Sequence, residues 1–179
     1  FTPTSRGTQV AALAVTSQQA VGVRLGLQIN HLPAGSALRF YAPEVQETVA
    51  VSAEEVTRIR DINLEAKVSP EIARIYWSPE FGTEQTVVEV EIPATANAND
   101  VQIRLPRLSH FLRAMTGSNT VPGTLIPAHD CAIDVQCTPE HLEQGRSTAR
   151  LGFVDEEGDA GVCTGTLLND SSASGIPYL

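Results

Sequence analysis

Between residue 7 and about residue 110, apolar and polar positions alternate with a period of two in short runs. The clearest is Val21-Gly22-Val23-Arg24-Leu25-Gly26-Leu27-Gln28-Ile29, in which apolar side chains alternate with small or polar ones. That is the mark of a strand buried on one face. Gln9 to Val15 predicts an earlier strand, and Pro33-Ala34-Gly35-Ser36 supplies a turn before a returning strand at Ala37 to Tyr41. Glu47 to Val51, Ala73 to Ser78, Thr86 to Ile92 and Val101 to Leu105 predict four more. Trp77-Ser78-Pro79, Pro93 and a turn at Asn97 to Asp100 act as stops. Ser52-Ala53-Glu54-Glu55 has the Ser-x-x-Glu form of a capping box and predicts a short helix over Ala53 to Ile59.

The pattern contains no long amphipathic helix between strands, which parallel crossovers would require. An all-β fold follows, with an antiparallel β-sandwich as the N-terminal domain. The texture changes after Thr116, where Gly117-Ser118-Asn119-Thr120-Val121-Pro122-Gly123 is small and polar. The expected division is a domain over 1–117, a linker and processing region over 118–128, and a second unit over 129–179. In that unit, Thr148 to Val154 and Gly161 to Asn169 predict two strands around an acidic loop at Asp155 to Asp159. A polar loop follows, and Ile176-Pro177-Tyr178-Leu179 reads as the start of an apolar strand.

Charge narrows the classes of partner. The net charge is −9, and a nucleic-acid surface needs a basic stripe, so nucleic acid is not an expected partner. No apolar run approaches the roughly 20 residues that cross a bilayer, so no membrane partner is expected. Phe1 is not preceded by a basic segment and apolar core, the expectation for a chain whose signal peptide has been removed. Nine acidic residues and only Arg146 and Arg150 fall within 116–179, whereas residues 1–115 are close to balanced. That asymmetry fits two units of different origin, or a single solvated acidic loop.

Few residues qualify as sites. His31 reads as a turn residue. His110 follows Ser109, but adjacency in sequence carries no catalytic meaning, because triad members meet in space. His129 and His141 flank cysteines at spacings that fit no zinc pattern. Asp155, Glu156, Glu157 and Asp159 lack calcium-loop spacing and read as a solvated loop. Gly165-Thr166 and Gly117-Ser118 lack the Gly-x-Ser-x-Gly form of a nucleophile elbow. Tyr76 and Trp77 are either a platform for sugar or peptide or, more ordinarily, an aromatic pair divided between core and surface. No cofactor and no metal are expected.

The three cysteines, Cys131, Cys137 and Cys163, all lie in the second unit. Cys131-Ala132-Ile133-Asp134-Val135-Gln136-Cys137 resembles the opening of mature serine proteases of the lysyl endopeptidase type, secreted bacterial relatives of trypsin. Ser147 to Phe153 is similar to their first barrel strand, and Cys163-Thr164-Gly165-Thr166-Leu167-Leu168-Asn169-Asp170 to their Cys-x-Gly-[Ser/Thr]-Leu-[Leu/Val]-Asn strand. Ile176 to Leu179 is similar to the strand that, in that family, approaches Thr-Ala-x-His-Cys and the general base of the Ser-His-Asp triad. More loosely, Ala37 to Tyr41, Tyr76 to Pro79, Val88 to Pro93 and Leu108 to His110 resemble the N-terminal region of related precursors.

The resemblance implies that 129–179 holds the first strands of a chymotrypsin-like β-barrel and that 1–117 is its pro-domain, assisting folding or inhibition. It implies a secreted or periplasmic serine endopeptidase precursor whose triad lies outside these residues. Its partners would be the remainder of the protease domain and a protein or peptide substrate. It also implies that Cys131, Cys137 and Cys163 pair with cysteines beyond residue 179. Six residues of extended chain would hold Cys131 and Cys137 roughly 20 Å apart, too far for one bridge. A non-catalytic β-sandwich module binding carbohydrate or protein is the alternative reading.

Overall fold

The computed structural model describes residues 1–112, 139–154 and 160–168. The chain separates into two compact units, Phe1–Thr116 and Gly117–Leu179. The first contains strands β1 (Thr2–Pro3), β2 (Thr8–Thr16), β3 (Gly22–His31), β4 (Ala37–Tyr41) and β5 (Thr48–Ser52). Helices α1 (Ala53–Glu65) and α2 (Pro70–Ala73) come next, then β6 (Ile75–Trp77), β7 (Gln85–Pro93) and β8 (Gln102–Phe111). These make a five-stranded sheet in the order β1-β2-β7-β4-β5 and a three-stranded sheet in the order β6-β3-β8. Every pairing is antiparallel, and the fold is all-β.

The two sheets face each other across the core. Val23, Leu25, Leu27 and Ile29 point inward from β3 and meet Leu38 and Phe40 of β4, Val51 of β5 and Val88 of β7. Each such side chain contributes roughly 1.5–3 kcal/mol when fully buried. Polar groups also fasten the two sheets to each other. The buried Thr86 hydroxyl on β7 donates to the carbonyl of Val23 on β3 at 2.8 Å. At the sandwich margin, Ser17, just past β2, is hydrogen-bonded to His110 Nδ1 of β8 at 2.8 Å.

The helical segments depart from expectation. Ser52 does cap α1, its hydroxyl accepting from the Glu55 amide at 3.2 Å. The helix then runs 13 residues to Glu65 instead of ending at Ile59, so a long helix does lie between strands. Its apolar side rests on Val56, Ile59 and Ile62, of which only Val56 is buried, so its amphipathic signal is weak. It joins the edge of the larger sheet to α2 and the edge of the smaller one, an inter-sheet link rather than a parallel crossover. Its end carries no glycine: Lys67 adopts φ 65°, its amide donates to Leu64 and that of Val68 to Asn63. This paired closure normally uses a glycine at that position, hence the unread stop.

Two strand limits also move. Pro70 opens the single turn of α2, which takes Ala73 out of the strand expected over Ala73 to Ser78 and leaves Ile75–Trp77. β8 does not stop at Leu105 but continues through Pro106 to Phe111. Proline is tolerated there because β8 is an edge among the described residues and its register with β3 is irregular at that point.

In the second unit, a short α3 (Leu142–Gly145) precedes β9 (Thr148–Val154) and β10 (Ala160–Thr166). The two strands form an antiparallel hairpin, with register from Ala160↔Val154 to Thr166↔Thr148. Phe153 fills the space above Gly161, where a Cβ would come within 2.6 Å of its ring. The linker over 118–128, the loop at Asp155 to Asp159, His129, Cys131, Cys137 and Ile176 to Leu179 lie outside the described residues.

Candidate functional site

The outer face of the three-stranded sheet carries a grouping of polar and aromatic side chains that includes Arg24, Trp77, Arg104 and Arg107. Because β3 sends Val23, Leu25, Leu27 and Ile29 inward, Gly22, Arg24, Gly26 and Gln28 fall on the outside. Ser78 locks this region. Its backbone amide donates to the Leu25 carbonyl and its hydroxyl accepts from the Leu25 amide, each at 2.9 Å. The Ser78 carbonyl in turn accepts from Arg24 Nε at 2.8 Å. The guanidinium is thereby held with Cζ 5.5 Å from the centroid of the Trp77 ring, a cation–π contact. Burial lowers the Arg24 pKa, an effect that nearby Glu80 opposes without reversing.

Gly26 makes room for the indole. A Cβ there would lie 3.0 Å from both a Trp77 ring carbon and Arg107 Cβ. Arg107 stands opposite Gly26, and Arg104 stands opposite Gln28. Two residues of β3 thus match three of β8, so the register slips by one residue near Pro106. Without that bulge, side chains three apart would point to opposite faces; with it, Arg104 and Arg107 share one. Both are exposed, and neither forms an ion pair among the described residues.

Tyr76 and Trp77 divide as their strand alternation predicts. Tyr76 turns inward and stacks on Phe40, while Trp77 lies outside. Other candidates assemble nothing catalytic. The Ser17–His110 pair is exposed, and among the described residues no carboxylate hydrogen-bonds to the His110 ring. His31 Nδ1 donates to the Asp100 carbonyl at 2.6 Å, and His141 is exposed before α3. Among the described residues no three His, Cys, Asp or Glu side chains gather as a metal site would need. A cleft of ≈ 90 Å³ between α1 and β3, lined by Asn30, Arg60 and Arg74 among others, is small beside the ~300–1,000 Å³ of ligand pockets. Cys163 is exposed on β10.

On the outer face of the larger sheet, Arg39 of β4 bridges Glu89 and Glu91 of β7, at 2.9 Å to Glu89. Hydrogen bonds from Thr8 and Arg39 hold the Glu91 carboxyl below its ordinary pKa. Burial works against the Arg39 charge, but the two carboxylates outweigh it and raise its pKa. This is a structural clamp across β2, β7 and β4.

Sequence reasoning could not bring Arg104 and Arg107 together, since their spacing puts them on opposite sides of a regular strand. A proline inside an alternating run was the available signal. The family model of the lysyl endopeptidase N-terminal domain matches residues 1–112. The chain belongs to the lysyl endopeptidase family. The model of the lysyl endopeptidase C-terminal domain matches residues 127–179. A lysyl endopeptidase of Pseudomonas aeruginosa is 26% identical over 108 residues, covering 57% of this chain and 23% of that protein. The chain thus spans about a quarter of that relative's length. No solved structure matches. Among the described residues, no helix is long and apolar enough to cross a membrane.

Proposed function

We propose that this chain is the N-terminal part of a secreted or periplasmic serine endopeptidase precursor acting on lysyl peptide bonds. Residues 1–112 serve as a pro-domain that assists folding of the protease or restrains it, and the second unit contributes the first strands of the protease barrel. The observation that carries this reading is the order of the two family matches, N-terminal domain before C-terminal domain on one chain. The architecture supports it: residues 1–112 form a self-contained sandwich, a unit able to act on a polypeptide tethered to it. The catalytic triad lies in residues of the precursor beyond these, and Cys131, Cys137 and Cys163 pair with cysteines there.

The test is expression of the precursor with and without residues 1–112, followed by assay of the exported material on a lysine ester or amide. Deletion should abolish recoverable activity, and the 1–112 polypeptide supplied in trans should restore it. Full activity from the deleted precursor, together with no inhibition by added 1–112, would remove the pro-domain role. The 179-residue chain by itself should hydrolyse no such substrate.

A further inference from the structure

We infer that the outer face of the three-stranded sheet is a docking surface for an extended, acidic polypeptide segment. The first support is charge segregation. Residues 1–112 contain nine basic and twelve acidic side chains, yet β3, β6 and β8 contain Arg24, Arg104 and Arg107 and no aspartate or glutamate. An acidic unit has thus kept one sheet free of carboxylates. The nearest, Glu80, is seated over Gly22 at the end of the face and accepts from the Gly82 amide.

The second support is geometric. The three arginines stand at, or opposite, Arg24, Gly26 and Gln28, positions that succeed one another by two residues along β3. Such positions repeat every ~6.6 Å. Carboxylates on alternate residues of an extended peptide repeat at the same interval on one side, so successive ones can meet the exposed Arg107 and Arg104, with the half-buried Arg24 next in the row. The bulge at Pro106 creates the match by bringing Arg104 into line.

The third support separates polypeptide from sugar. A carbohydrate platform needs an open indole face, whereas the Trp77 ring carries the Arg24 guanidinium. The indole backs a half-buried cation and is not left open to a sugar ring. Beside the platform, β8 has one side without a strand partner among the described residues, which offers backbone groups to a peptide and nothing comparable to a glycan.

Trp77 is the single tryptophan of the chain, so its fluorescence reports on this face directly. The 179-residue chain is titrated at low salt with a capped peptide of three glutamates alternating with threonines. A second peptide of the same composition carries its glutamates contiguously, and alginate serves as a polyuronate control. The alternating peptide should change the emission saturably and bind at least threefold more tightly than the contiguous one. The variant Arg104→Gln/Arg107→Gln, checked for native circular dichroism, should bind at least tenfold more weakly. Amide shifts in β3 and β8 of the unsubstituted chain should move on titration, a readout that needs no variant. Silence toward both peptides, equal affinity for the two, tighter binding of alginate, or unchanged affinity in the folded double variant would each overturn the proposal.

Discussion

The rings of Phe40 on β4 and Tyr76 on β6 stack across the two sheets, with centroids 5.8 Å apart and planes inclined by 17°. One belongs to the larger sheet and the other to the three-residue edge of the smaller, so this contact anchors the shortest strand of the smaller sheet. Burial also raises the pKa of the Tyr76 hydroxyl, the largest influence on it. Phe40→Ala should lower stability by about 3–5 kcal/mol, because Phe40 is fully buried. Tyr76→Ala should cost less, about 2–3 kcal/mol. The double variant should reveal a coupling of about 0.5–1.5 kcal/mol beyond the separate losses. Urea unfolding followed by Trp77 emission measures all three.

Ser78→Ala should cost about 1–3 kcal/mol, disproportionate for the loss of one oxygen. The side chain is buried and its hydroxyl accepts from the Leu25 amide, which would be left without that partner in the core. Slowed amide exchange at Leu25 in the parent chain, lost in the variant, would locate the effect.

Gly26→Val should displace the indole. A Cβ at that position already presses on Trp77 and Arg107, and the branched methyls have nowhere to go. A loss of about 1–3 kcal/mol and a red-shifted tryptophan emission are expected. Gly35→Ala tests a different glycine property, since φ is +75° there and the space is nearly open. Its cost, about 1 kcal/mol, should leave the emission unchanged.

Glu91 predicts an acid dependence. Hydrogen bonds from Thr8 and Arg39 depress its carboxyl pKa in the folded chain below the ordinary 4.5. Its contribution is therefore fully present above about pH 4.5 and is lost as pH falls through the lower, folded value. Glu91→Gln should lower stability by about 0.5–1 kcal/mol at pH 7 and flatten the decline below pH 4.5. An unchanged acid slope in the variant would assign the decline to other carboxylates.

The sequence by itself determined most of the strands, though not β1, together with the all-β class and the family. Two-residue alternation is a local property, and it placed Ala37–Tyr41 and Thr148–Val154 at their observed limits. The Ser52 cap was equally legible, because a capping hydrogen bond spans only three residues. What needed the tertiary structure depended on partners distant along the chain. Helix α1 outran its signal because most of its surface faces solvent, and Lys67 closed it in a conformation ordinarily marked by glycine. β8 ran past Pro106 because an edge strand needs only one side of its backbone paired. The arginine face is the clearest case. Arg24 lies about 80 residues from Arg104 and Arg107 along the chain. Only the pairing of β3 with β8, one residue out of step, sets all three on the same side of one sheet.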